Sequence, residues 1–239
     1  MKLGERALSA VPRATVALLA VAVALQLGWR LLAPMRAALA QDLPPAPAPE
    51  ILRLASLGER EALARIAMLW LQAFDAGGAN RLAYRDFDYQ RLAGWLEAIL
   101  RLDPRSRYPL FAAARIYAEN PDEGKVRTML EFVYREFHAD PATRWPWLAH
   151  AALLAKHRLR DLALALRYAQ AVEAHARGPQ LPLWARQMQI FILEDMGELE
   201  AAKVMLGGLI ASGEIADPFE RRFLLERLEA MERRARPRR

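Results

Sequence analysis

The chain has 239 residues and a formal net charge of +6, and all but four of its 34 basic residues are arginines. Hydrophobic residues make up 54% of it, which is too many for a disordered chain and enough for a folded core. The absence of cysteine excludes disulfides, thiolate zinc sites, iron–sulfur clusters and cysteine nucleophiles. With only 12 glycines, glycine-rich phosphate loops and multi-hairpin β folds are disfavoured.

The first apolar segment, residues 14–33, predicts a transmembrane anchor. It carries one charge, Arg30, and a helix of this length measures about 30 Å, the thickness of a bilayer core. The flanking basic residues are Lys2, Arg6 and Arg13 on the amino side, and Arg30 and Arg36 on the carboxyl side. The excess of basic residues on the amino side predicts that residues 1–13 are cytoplasmic and that the remainder of the chain is exported. The alternatives are a signal peptide cleaved at Ala38-Leu39-Ala40, and a buried or peripheral helix.

Residues 34–55 predict a Pro/Ala-rich tether. The stretch from Leu43 to Glu50 contains four prolines, which favours a polyproline II segment that extends by about 3.1 Å per residue. Such a spacer would hold a folded domain away from a membrane surface.

Apolar residues recur at helical spacing from Ser56 onwards. Ser56-Leu57-Gly58-Glu59 has the form of a capping box for a helix that ends near Asp75. Asn120 is the predicted N-cap of the helix at 125–137. The other helices are predicted at 89–102, 108–119, 145–156, 161–175, 183–195, 198–211 and 219–231.

Four prolines divide these helices into pairs. Pro104, Pro141, Pro179 and Pro218 follow one another at intervals of 37, 38 and 39 residues, and each interval contains two helical patterns. Two helices per unit, with small residues in the first helix, are typical of a helical-repeat solenoid. The alternative is an irregular all-α domain whose prolines are evenly spaced by chance.

Two passages resemble tetratricopeptide repeats: Trp95–Pro104 (WLEAILRLDP) and Gly197–Ala202 (GELEAA). The whole layout also resembles bacterial membrane-anchored repeat proteins, although the repeats exceed the usual 34 residues and several signature positions differ. The resemblance implies an all-α fold in which an N-terminal transmembrane helix precedes a TPR-like α-solenoid of antiparallel helix pairs at 56–231. It also implies a scaffold that binds a protein or peptide, in the bacterial inner membrane with a periplasmic C-terminal domain.

No residue pattern predicts catalysis, a cofactor or a metal site. Of the four histidines, His150 and His157 are two helical turns apart, but no third ligand stands at helical spacing and no HExxH pattern occurs. Asp86 and Asp88 form an acid pair on paper, but helix capping explains them better. We therefore expect a protein without enzymatic activity, and an enzyme on a helical scaffold is the disfavoured alternative.

Candidate binding residues lie on the first helices of the pairs, which line the inner face in the repeat family. The Trp-Pro-Trp sequence at 145–147 is the most unusual local feature, since aromatic side chains are frequent binding anchors. Packing between repeats is the alternative explanation for these tryptophans. The full set of candidates for a protein-binding groove is Arg115, Tyr117, Trp145, Trp147, His150 and Arg186.

The Arg-rich tail, residues 232–239, predicts a disordered solubilising end, with contact to anionic lipid as an alternative. We expect no nucleic-acid partner, because an exported domain would not meet DNA. The sequence therefore predicts a membrane-anchored adaptor of the cell envelope. The alternative is a structural subunit of a larger envelope assembly for secretion, pilus formation or polysaccharide export, and the oligomeric state stays open.

Overall fold

The computed structural model describes residues 12–32, 42–76, 83–176 and 181–235. Within these ranges every regular element is helical and no strand occurs, which confirms the predicted all-α class. The chain divides into two units, Met1–Leu39 and Ala40–Arg239. Several sequence features lie outside the described residues: the segment 1–11, the potential cleavage site at 38–40, the turn at 178–179 and the tail at 236–239.

The first unit contains helix α1, Arg13–Leu32, at the place that the apolar run predicts. Its described large apolar side chains are exposed, from Val23 at 46% to Trp29 at 77%. Among the described residues, however, no helix meets the length and apolarity needed to cross a membrane. The structure therefore supports a helix here without supporting the transmembrane anchor predicted at 14–33.

The second unit contains ten further α-helices among the described residues. They are α2 (Pro49–Ala55), α3 (Arg60–Ala76), α4 (Tyr89–Leu102), α5 (Tyr108–Phe111), α6 (Glu123–Phe137), α7 (Pro141–His157), α8 (Leu162–His175), α9 (Leu183–Asp195), α10 (Leu199–Ala211) and α11 (Pro218–Ala235). A π-helical turn, Ala112–Ile116, and a 3₁₀ turn, Tyr117–Glu119, continue α5, and a separate 3₁₀ turn is Tyr84–Asp86. The predicted helices at 89–102 and 183–195 are confirmed at both ends, and α4 has a strongly amphipathic pattern of apolar residues.

Helices that follow one another in sequence pack against each other from α3 to α11. Residues 108–119, which comprise α5 and the two turns that continue it, are called the α5 segment below. In the first half of this array, helices two positions apart also touch: α4 contacts α6, and the α5 segment contacts α7. Alanines make this close packing possible, because a methyl side chain keeps two helix axes near each other. Ala112, Ala113 and Ala114 are fully buried, as are Ala149, Ala151 and Ala152 of α7.

Residues 42–55 differ from the free tether that the sequence predicts. Leu43 is fully buried, and residues 49–55 form α2, which packs on α4. The Trp95 indole donates a hydrogen bond to the Pro44 carbonyl at 2.8 Å, and Arg91 donates one to the Leu43 carbonyl at 2.8 Å. This segment, residues 42–48, is called the strap below. The strap is held on α4 through these two backbone carbonyls.

Two helix caps also differ from their predictions. Ser56 does not begin α3. It is the C-cap of α2, and its hydroxyl donates to the Arg53 carbonyl. Asn120 does not cap α6, which Asp122 does by accepting from the Lys125 N–H. Asn120 is instead a buried connector whose amide donates to the Arg85 carbonyl and to the Tyr89 hydroxyl, at 2.7 and 2.9 Å.

Helix α7 begins at Pro141, four residues earlier than the sequence predicts, so Pro146 lies inside the helix rather than in its first turn. A buried arginine holds this end in place. Arg144 donates to the Glu136 carbonyl at 2.6 Å and to the Pro104 carbonyl at 2.9 Å, and it pairs with the Glu136 carboxylate at 3.2 Å. The Arg144 side chain therefore connects the turn at Pro104 with the end of α6 that precedes Pro141.

Candidate functional site

An open cleft of about 430 Å³ lies across three alternate helices of the array. One wall comes from the α5 segment, the floor from α7 and the other wall from α9. We call it the aromatic cleft, and it is lined by Phe111, Arg115, Pro146, Trp147, His150, Leu153 and Trp184. Because these helices are far apart in sequence, only the tertiary fold brings the seven residues together.

Aromatic rings continue from the cleft to its surroundings. Phe111 and Trp147 meet edge to face with ring centroids 5.7 Å apart, and Tyr108 lies 5.6 Å from Phe111. On the other side, Trp145 packs against Trp184 at 5.7 Å. Trp184 remains 49% exposed, which leaves a large apolar ring available at the surface. Half-exposed tryptophans of this kind are frequent anchors of protein interfaces.

The indole nitrogen of Trp147 is buried and has no hydrogen-bond partner among the described residues. A buried donor in this state costs about 1–3 kcal/mol, because it has lost water without gaining an acceptor. Trp147 therefore lines the cleft with its ring, while its indole nitrogen is shielded from solvent.

Two basic side chains complete the lining. Arg115 is exposed and forms no ion pair with any described residue, whereas many other arginines of the chain are paired. Partial burial lowers the pKa of His150, and the nearby positive charge of Arg115 lowers it further. The Glu119 carboxylate raises the pKa of His150 but is the smallest of the three effects, so His150 disfavours protonation. No Asp or Glu is among the residues that line the cleft.

The structure brings together three of the six predicted groove residues, Arg115, Trp147 and His150, and places Trp145 beside them through its contact with Trp184. Tyr117 is instead buried in the core, where its ring packs against Tyr89 and its carbonyl accepts from the Tyr89 hydroxyl.

Arg186, the sixth predicted residue, lies in a different depression of about 240 Å³ and pairs with Glu214. Phe111, Leu153 and Trp184 were missed by the sequence reasoning. Helical spacing offered a signal for two of them, since Phe111 is four residues before Arg115 and Leu153 is three residues after His150. Trp184 had no such signal, because it comes from α9.

No group of three His, Asp or Glu side chains within the described part of the chain is arranged to hold a metal ion. The rings of His138 and His175 lie 5.2 Å apart, but both pack against Phe137, which gives them a place in the helix packing.

The chain matches no protein-family model, no curated protein and no solved structure in comparisons with known proteins. The resemblance to tetratricopeptide repeats therefore depends on the sequence motifs alone.

Proposed function

We propose that this chain is a non-enzymatic, membrane-anchored scaffold of the bacterial cell envelope, and that its TPR-like helical-repeat domain binds a protein or peptide partner in the aromatic cleft. The observation that carries the proposal is the combination, in one open cleft, of the half-exposed Trp184 ring with the Phe111 and Trp147 rings that pack edge to face. Apolar anchors surrounded by a few polar groups are typical of binding sites.

The packing order supports the repeat part of the proposal. Sequential helices form antiparallel pairs in such solenoids, and each unit buries its apolar face against its neighbour. Here the cleft is lined by every second helix of the array, namely the α5 segment, α7 and α9, and these are the first helices of the pairs that the prolines delimit. A surface made of first helices is the one that the repeat family uses for binding.

The anchoring part of the proposal depends on α1, whose apolar side chains are exposed along its length. We propose that this helix holds the chain in the inner membrane as a single span, with the C-terminal domain in the periplasm. Truncation of residues 1–40 is expected to move the protein from the membrane pellet to the soluble fraction. Retention in the pellet would refute the anchor.

Crosslinking pull-down of the full-length protein from its native membranes tests the scaffold function. The parent is compared with Trp147→Ala and His150→Ala, which alter the cleft. Leu54→Ala is the matched control, because Leu54 lies on α2 outside the cleft and is 74% exposed. We expect one envelope protein to be recovered with the parent and the control and to be lost with the cleft variants. Recovery of the same partners with all four proteins would show that the cleft does not bind them.

A structural subunit of a larger envelope assembly is the second candidate. The end of the array favours it, since Val204 of α10 and Phe219 and Phe223 of α11 are 51–78% exposed. Such an apolar surface suits burial in a permanent complex. Stable co-migration with a large complex in native gels, unaffected by the cleft variants, would favour this candidate over the scaffold.

A further inference from the structure

The turn between α2 and α3 exposes a leucine in an unfavourable backbone conformation. Leu57 is 92% exposed, the largest exposed fraction among the large apolar side chains of the described residues. Its φ is +48°, in the left-handed region that residues with a Cβ rarely adopt, and Gly58 follows it with a φ of +95°. Glycine or asparagine would adopt this backbone with less strain and would expose no apolar surface. A leucine that is both strained and exposed indicates a contact outside the domain.

Residues on both sides of this turn line an open depression of about 510 Å³ whose charge is positive. Its charged residues are Arg53 of α2, Arg60 of α3, and Glu97 and Arg101 of α4. Glu97 pairs with Arg101, whereas Arg53 and Arg60 form no ion pair with any described residue. The two free guanidinium groups are therefore available to an anion from another molecule. The acidic residues close to the turn in sequence do not line the depression, and they are Glu50, Glu59 and Glu61.

An exposed leucine beside two free arginines fits an amphiphilic surface. A phospholipid bilayer presents phosphate groups directly above hydrocarbon, and proteins bind its interface by burying apolar side chains while basic side chains attract anionic lipids. The guanidinium group is suited to this role, because its planar fork of N–H donors matches phosphate oxygens. A bilayer accepts one protruding leucine without a preformed pocket, whereas a protein partner would have to supply a matching one.

The place of this turn in the chain also favours a bilayer. Only residues 33–41 lie between the end of α1 and the strap, and α2 follows the strap directly. If α1 is held in a membrane, this short connection keeps the bilayer at a high effective concentration around the turn.

We propose that the turn between α2 and α3 is a second membrane contact, in which Leu57 inserts into the interface of an anionic phospholipid bilayer and Arg53 and Arg60 bind lipid phosphate groups. This inference rests on the proposed anchoring by α1. It adds a contact that holds the amino-terminal end of the helical array at the membrane surface.

A nitroxide spin label tests the contact, because the chain has no cysteine and a single introduced one is labelled selectively. Full-length Leu57→Cys is labelled and reconstituted into vesicles of equal parts phosphatidylcholine and phosphatidylglycerol. Power-saturation EPR compares the accessibility of the label to oxygen, which concentrates in lipid, with its accessibility to a water-soluble nickel chelate. Val204→Cys is the matched control, since Val204 is an apolar residue of α10 that is 75% exposed.

We expect the label at position 57 to be more accessible to oxygen than to the nickel chelate, and the label at position 204 to show the reverse. In vesicles of phosphatidylcholine alone, the preference for oxygen at position 57 should be smaller, because the anionic headgroups are missing.

Charge reversal tests the two arginines. Arg53→Glu combined with Arg60→Glu is expected to move the label at position 57 from lipid to water. Arg221→Glu combined with Arg222→Glu changes the net charge by the same amount at exposed positions of α11, so it is the matched control and should leave the label in lipid.

Three results would overturn the proposal. One is equal accessibility of the labels at positions 57 and 204, since the turn would then face water. Another is a label at position 57 that neither oxygen nor the nickel chelate reaches, because a protein surface such as a second copy of the chain would then cover it. The third is a label that stays in lipid after the Arg53 and Arg60 charge reversal, which would show that these arginines bind no headgroup.

Extraction of the vesicles with alkaline carbonate tests the α1 anchor separately. If the protein stays in the vesicles while the label at position 57 is in water, the anchor stands and the second contact is refuted. If the protein is extracted although the label contacted lipid beforehand, the second contact stands and the anchor is refuted.

Discussion

Asn120 provides the most direct test of how the first helical pairs are held together. It is 1% exposed, and its side chain makes three hydrogen bonds: to the Arg85 carbonyl, to the Tyr89 hydroxyl, and from the Asp122 N–H at 2.9 Å. Asn120→Ala removes all three. A net hydrogen bond contributes about 0.5–1.5 kcal/mol, so we expect the free energy of unfolding to fall by about 2–4 kcal/mol.

Urea denaturation monitored by circular dichroism measures this loss. Gln90→Ala is the matched control, because it also deletes a side-chain amide but at an exposed position of α4, and its effect should stay within about 0.5 kcal/mol. A double-mutant cycle with Tyr89→Phe isolates the Asn120–Tyr89 bond, for which we expect a coupling of about 0.5–1.5 kcal/mol.

Two results would refute this reasoning. One is a loss below about 1 kcal/mol for Asn120→Ala, which would mean that the three bonds are replaced by water at little cost. The other is strict additivity of the two substitutions, which would mean that the amide and the hydroxyl are not coupled. In either case the buried connector would contribute less to the fold than its geometry indicates.

Burial and Arg115 lower the pKa of His150, so protonation favours the unfolded chain, and stability should decline as pH falls below about 6.5. His150→Gln is expected to reduce this decline in urea titrations at pH 5–7, with the exposed His157→Gln as control. Glu194, whose side chain is 7% exposed, pairs with Arg227 and Arg234 of α11, so Glu194→Ala should cost about 1–3 kcal/mol and speed hydrogen exchange in α11. An unchanged rate of hydrogen exchange in α11 would contradict this role of the two Glu194 ion pairs. Gly197 has a φ of +81°, a backbone conformation that strains an alanine. Gly197→Ala should therefore lower the free energy of unfolding by about 1 kcal/mol in thermal denaturation, and an unchanged stability would refute this expectation.

The helices could be predicted from the sequence because their signals are local. Apolar residues at helical spacing located α4 and α9 to the residue, and an aspartate before each of α6 and α8 accepts from the first-turn N–H groups. Caps were predicted less well where two candidates stand close together. Ser56 and Asn120 both have suitable side chains, but each finds a better partner outside the helix that follows it.

Long-range packing decided the features that matter for function. The sequence indicated a free proline-rich tether, yet the strap lies on α4 because Arg91 and Trp95 supply donors about 50 residues further along the chain. Tyr117 and His150 looked alike as groove candidates, and only the helix packing buries one and leaves the other in the cleft.

By itself, the sequence determined the all-α class, the boundaries of α4 and α9 and the aromatic character of α7, since each of these depends on residues within one or two turns. The tertiary structure alone decided that Phe111, Trp147 and Trp184 form one cleft, and that Arg115 lies there without an ion-pair partner among the described residues. The physical reason is that a cleft between helices depends on packing angles and side-chain burial, which arise from contacts between segments distant in sequence.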